Sequence, residues 1–266
     1  MFTLKNYSNV TNNFLKKGYV ICKVRNMKKL ENFSKAICNQ LIKKNRPNDI
    51  SSIVNRFNNL HKELKKSQLN KIRMDTIIKI SNDAKVKENL FDLIDNYIFE
   101  LVGNELAMQK NINLVVSMPK DTSSTIDLHA DTWGGNSPFE IVVWLPLVNC
   151  YKTKSMFILD KIKAKKLNIE KQIKKNKKLS AEKLFSKIKN HVTWLDVKYG
   201  EVLLFQPSLP HGGRANMEKE TRVSINSRFK GLFTPYSDKK LGEYFEPISI
   251  RPCSKAGFKY INEKIL

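Results

Sequence analysis

A change in hydrophobic period near Asn111 constrains this chain more than any other feature. Before it, apolar residues recur at helical spacing: Leu30, Phe33, Ala36, Ile37 and Leu41 within Met27 to Lys44, then Ile53, Phe57, Leu60 and Leu64, then Leu90, Leu93, Ile94, Ile98 and Leu101. Pro47 and Asn48 end the first of these helices, and mostly helical structure is expected from Ile50 to Met108. After it, short β-branched runs separated by turn residues read as strands: 111–117, 125–131, 139–147, 154–159, 191–197, 201–206 and 221–229. An alternating opening strand, Gly18 to Val24, precedes the helices. The pattern predicts an α+β chain in which a helical layer covers a double-sheet β-barrel of jelly-roll type.

The strands are interrupted once. From Lys161 to Asn190 the chain holds twelve lysines and two glutamates, with Ile169, Ile173, Leu179, Leu184 and Ile188 at helical spacing. This block is read as a helical insertion whose removal spares the rest of the site. One domain is expected over 1–266: opening strand and helical layer (1–110), core (111–236) with its insertion (161–190), and a C-terminal tail (237–266). No run approaches the ~20 apolar residues of a membrane helix, and no secretory signal is visible at the start. Cys22, Cys38, Cys150 and Cys253 form no CxxC pair, so they are expected as reduced, structural thiols in a cytoplasmic protein. The net charge of +23 admits an anionic partner. Aromatics are nearly absent among the insertion's lysines, which argues against a single-strand nucleic-acid platform.

Chemistry concentrates in His129-x-Asp131 and His211. On a strand, positions i and i+2 face one side, which would bring an imidazole and a carboxylate to one metal. His211 follows the apolar strand Glu201 to Gln206 and a corner made by Pro207 and Pro210, and it precedes Gly212-Gly213. Two histidines and one carboxylate leave half an octahedron open on Fe(2+), the arrangement of mononuclear oxygenases that use O2. The other histidines carry no such role: His61 is expected at the surface, and His191 is given no ligand function.

The strand after His211 has one face of Arg222, Ser224, Asn226 and Arg228 and another of Val223, Ile225, Ser227 and Phe229. If the polar face lines the cavity, Arg222 needs an anion, because an unpaired buried charge is costly. The dicarboxylate 2-oxoglutarate supplies one: its keto-acid end would chelate iron, and its far carboxylate would meet Arg222 and Ser224. Trp133 is a candidate to stack on a substrate ring, and Arg228 a candidate contact for a substrate phosphate or carboxylate. Trp144 is expected in the core.

Leu128-His-Ala-Asp-Thr-Trp-Gly-Gly135, Pro138-Phe-Glu-Ile-Val-Val-Trp-Leu-Pro-Leu147, Pro210-His-Gly-Gly213 and the run from Arg222 to Tyr236 resemble the sporadic carbohydrate cluster 2-oxoglutarate/Fe(II) oxygenases. That group is related to the phytanoyl-CoA hydroxylase-like dioxygenases. The resemblance covers roughly residues 111 to 236. It implies a double-stranded β-helix (jelly-roll/cupin-like) core and iron held by His129, Asp131 and His211. It also implies 2-oxoglutarate anchored by Arg222, with ascorbate as a stimulant. A sugar or nucleotide sugar, phosphorylated substrates included, is the implied substrate, in carbohydrate biosynthesis. Because Asp131 is present, the implied chemistry is oxygenation rather than halogenation. Hydroxylation, desaturation, ring closure and epimerisation all stay open, as does the oligomeric state. Two other readings stand beside this one: a nucleic-acid-directed oxygenase on the same centre, and a metal-free jelly-roll binding protein.

Overall fold

The computed structural model describes residues 7–42, 47, 49–169, 173 and 180–265. Lys43, Lys44 and Asn48, assigned above to the first helix and its stop, and Leu179, assigned to the insertion's apolar stripe, lie outside them.

The chain enters through a helix that its sequence pattern did not announce, α1 (Asn9–Lys17). The Ser8 hydroxyl accepts from the Val10 and Thr11 amides, and Gly18 closes the helix at φ 83°. A Cβ at Gly18 would also stand 2.9 Å from a Leu209 methyl, which would have to shift. Strand β1 (Tyr19–Lys23) follows, and then the helical layer: α2 (Met27–Leu41), α3 (Ile50–Asn58), α4 (Leu60–Glu63), α5 (Lys66–Ser81), α6 (Ala84–Asp92) and α7 (Asp95–Leu101). Most of its expected stripe residues are buried: Leu30, Phe33, Ile37, Phe57, Leu90 and Ile98 join one core with the sheet residues Val223, Ile225 and Phe229. Burial of each such side chain is worth about 1.5–3 kcal/mol.

The remaining strands are β2 (Leu106–Gln109), β3 (Asn113–Ser117), β4 (Glu140–Pro146), β5 (Phe157–Ile158), β6 (Thr193–Trp194), β7 (Glu201–Phe205), β8 (His211–Gly212), β9 (Arg222–Gly231) and β10 (Phe245–Ser249). Seven form a sheet in the order β1-β7-β4-β9-β2-β10, with β3 also paired to β9, and every pairing is antiparallel. Three form a small sheet, β6-β5-β8. The result is a double-stranded β-helix core with helices packed on the outside of its larger sheet. Two strands depart from expectation. Leu106–Gln109 lies inside the stretch read as helical, and the presumed tail supplies β10, which pairs with it, and a last helix, α10 (Pro252–Ile265).

The lysine-rich block contains α8 (Lys161–Lys166) and α9 (Ala181–Ile188). Its described lysines are exposed, apart from half-buried Lys163, but Ile169, Leu184 and Ile188 are buried in a second core with Leu128, Phe157 and Leu159. The Phe157 ring also stacks near Phe185 and Trp194. Since Leu128 precedes His129, the insertion supports the segment that carries the first histidine. Its removal would therefore not be neutral for the site.

Candidate metal centre

His129, Asp131 and His211 converge: one ligand atom from each lies within 4.8 Å of the others. The means differs from the strand alternation expected of Thr125 to Asp131. That segment is irregular, and His129 alone forms a bridge to His211, through His129 N–H to the His211 carbonyl (2.9 Å) and the reverse bond (2.8 Å). Pro210, which has no N–H to offer a ladder, stands immediately before β8, and the strand is two residues long. Asp131 begins a 3-10 turn, Asp131–Gly134, closed by Gly135 at φ 87°. The Gly135 and Asn136 amides both donate to the Asp131 carbonyl.

Each imidazole is oriented by its own backbone. His129 Nδ1 meets the Asp127 carbonyl and His211 Nδ1 meets the Leu209 carbonyl, both at 2.8 Å. A carbonyl can only accept, so both Nδ1 atoms carry a proton and each ring turns its Nε2 toward the cluster. His129 Nε2 lies 3.6 Å from Asp131 Oδ1, and although burial pushes the His129 pKa down, that carboxylate outweighs burial and raises it. The rings lie 4.3 Å apart, and Phe205 packs edge-on against His211. Burial, then the neighbouring His129, pushes His211 down to about 4, which keeps it neutral. Burial pushes the Asp131 carboxyl up, but His129 and Arg228 outweigh it and hold Asp131 well below the usual carboxylate range. Both are the protonation states a cation requires.

Gly212 is fixed by crowding: a Cβ there would lie 3.0 Å from the Ile126 and Asp127 carbonyls and from the Phe157 ring. A bond from the Gly213 amide to the Ile126 carbonyl (2.7 Å) tightens the same approach.

Behind the three ligand candidates lies a cavity of about 60 Å³ whose lining includes His129, Trp144, His211, Arg222, Asn226 and Arg228. The faces of β9 divide as the sequence indicated. Arg222 is buried, and its Nη1 donates to the Ser155 carbonyl at 2.7 Å. Among the described residues no carboxylate pairs with it, and Arg222 Nε, Ser224 Oγ and Asn226 Oδ1 are buried without hydrogen-bond partners. Burial accordingly lowers the Arg222 pKa. Leaving a cation so placed costs several kcal/mol by order of magnitude, and a bound anion would remove that cost. The residues present thus fit both groups: two Nε2 atoms and a carboxylate for a ferrous ion, a buried guanidinium and a hydroxyl for a carboxylate.

Arg228 occupies a different place from the substrate contact expected of it. Its Nη2 lies 2.7 Å from Asp131 Oδ1 and its Nε 3.1 Å from Oδ2, a two-pronged grip on the candidate ligand. Its Nη1 is taken by Gln109 (3.0 Å) and the Tyr244 hydroxyl (3.3 Å). Gln109 and Tyr244 escaped the sequence reading because each lies in a segment misassigned there. Trp133 is partly exposed in the turn after Asp131, and Trp144 is buried as expected. His61 is half-buried rather than on the surface, with Nδ1 2.9 Å from Thr221 Oγ1.

No protein-family model and no curated protein sequence matches the chain. Solved structures do share its fold. The non-heme monooxygenase ThoJ, in its nickel complex, is 11% identical with a TM-score of 0.58, over 91% of this chain and 84% of that one. EctD from S. alaskensis, with 2-oxoglutarate and 5-hydroxyectoine, is 14% identical with a TM-score of 0.55, over 89% and 80%. The non-heme alpha ketoglutarate dependent carbocyclase SnoK from nogalamycin biosynthesis is 14% identical with a TM-score of 0.56, over 93% and 99%.

Proposed function

We propose that this chain is an Fe(II)- and 2-oxoglutarate-dependent oxygenase that oxidises a small carbohydrate-type metabolite. One observation carries the reading: a buried arginine with no carboxylate partner among the described residues lines the same cavity as two histidines of a His-Asp-His cluster. A metal-free binding protein would leave that arginine, and the convergence of two imidazoles on one carboxylate, without a purpose. The fold neighbours agree in kind, since EctD is seen with 2-oxoglutarate and SnoK is named for its dependence on the same compound.

His129, Asp131 and His211 would hold the iron, and Arg222 with Ser224 would receive the far carboxylate of 2-oxoglutarate. Iron with 2-oxoglutarate and O2 supplies the power to abstract hydrogen from an unactivated carbon, with succinate and CO2 as co-products. Arg228 keeps Asp131 ionised and fixed in direction. Phe205 and Met156, both buried, with Trp144, form an apolar lining that limits water around the reacting groups. The sugar or nucleotide-sugar assignment rests on the sequence resemblance and on partly exposed Trp133, whose ring could stack on a pyranose.

The direct test incubates the protein with Fe(II), ascorbate, 2-oxoglutarate and candidate nucleotide sugars. Mass spectrometry should show succinate and a product that has gained one oxygen or lost two hydrogens. Asp131→Ala and His211→Ala should abolish both; full turnover in either variant would remove that residue from the metal centre.

A further inference from the structure

Beside the metal centre lies a larger recess, of about 570 Å³, that none of the groups assigned above fills. Trp133 forms one wall. Leu209 and Pro210, which lead directly into His211, form another, and Lys161, Lys165 and Ile169 of the insertion close the third. Lys161 and Lys165 are four residues apart on α8, so they present their ammonium groups on one face. Both are exposed, and no carboxylate pairs with either among the described residues, whereas Lys163 on the same helix is held by Asp160. The same two lysines and Asn168 also line an adjoining recess, of about 540 Å³, together with Lys16 of α1 and Lys166. Positive charge is therefore concentrated on the wall that the two recesses share.

The geometry points to a binding site for a phosphate-bearing small molecule, with an aromatic or sugar ring on Trp133 and its phosphates on Lys161 and Lys165. This deepens the oxygenase reading and rests on it for the identity of the reacting end. Three features support it. The volume suits a small molecule of nucleotide size. Apolar and aromatic surface faces paired cations across one cleft. The walls nearest the triad are the residues flanking Asp131 and His211, so a bound molecule would be tethered beside the reacting centre. A nucleic-acid strand fits less well, because stacking along a strand needs successive aromatic platforms and Trp133 is the one aromatic among the described residues lining this recess.

The test titrates ADP and inorganic pyrophosphate calorimetrically into the full-length protein. The wild type should bind both, more weakly as salt rises. The exposed pair K161Q/K165Q should weaken both by about tenfold, the loss expected from one or two charge-assisted contacts. Trp133→Ala should weaken ADP and leave pyrophosphate unchanged. Absence of binding by the wild type, or equal binding by K161Q/K165Q, overturns the site. A single-stranded oligonucleotide that displaces ADP at far lower concentration overturns the small-molecule assignment. Binding of Fe(II) and 2-oxoglutarate by the wild type, titrated without phosphorylated compounds, reports separately on the iron centre. ADP binding through these lysines without 2-oxoglutarate binding would refute the oxygenase and keep the site; 2-oxoglutarate binding without ADP binding would do the reverse.

Discussion

Arg222 and Arg228 lie on the same face of β9, both buried, yet among the described residues only Arg228 has a carboxylate beside it. That difference separates their roles. Arg222→Ala should weaken 2-oxoglutarate binding by about tenfold to a hundredfold, the span of one lost charge-assisted interaction, and change metal affinity little. Parallel titrations with 2-oxoglutarate and with Fe(II) would check this, and the opposite ranking would reassign the residue. Arg228→Lys keeps the charge but not the two-pronged geometry. Partners of metal ligands are typically worth about 10–100-fold in affinity or activity, so Fe(II) affinity should fall within that span while 2-oxoglutarate dependence of the metal-saturated enzyme holds. The clustering of His129, Asp131 and His211 and the burial of Arg222 were legible from sequence because ligand chemistry restricts residue types and the alternation of β9 sorts its faces. The Arg228–Asp131 pair was not, since 97 positions separate its members and nothing local marks it.

At the scale of elements, the insertion and the histidine-bearing loop share one small core. Leu184→Ala and Ile188→Ala should each destabilise the protein by about 2–5 kcal/mol, the usual cost of truncating a large buried aliphatic side chain. Denaturant unfolding would measure it; values near zero would mean that α9 is dispensable. Excision of 161–190 should expose Leu128 and Phe157 and loosen metal binding along with them. The sequence marked the insertion through its lysines, which hid its second face: composition showed the solvent side, and three buried positions did the packing. Short elements were the hardest to read. Leu106–Gln109 looks like the end of a helical stripe, and only its pairing with Met108↔Phe229 register shows it to be a strand. The segment around His129 failed for the opposite reason, having strand-like residues but almost no partner to pair with.

For the molecule as a whole, the four thiols report how evenly the core is closed. Burial pushes Cys22 and Cys38 up to about 11 and Cys150 up to about 12, while Cys253 is exposed on α10. Alkylation of the native protein at neutral pH should therefore label Cys253 rapidly and the other three only on unfolding, because the thiolate is the reactive form; mass mapping of labelled peptides would show it. No described helix is long and apolar enough to cross a membrane. The alternation of β9 has a larger consequence. Its ten residues set Val223, Ile225 and Phe229 against the helices and Arg222, Asn226 and Arg228 into the cavity. A slip of one position would bury guanidinium among aliphatics and turn Phe229 toward the ligands. Misaligned chains are thus too unstable to accumulate, and every molecule that completes its sheet arrives with its cations already aimed.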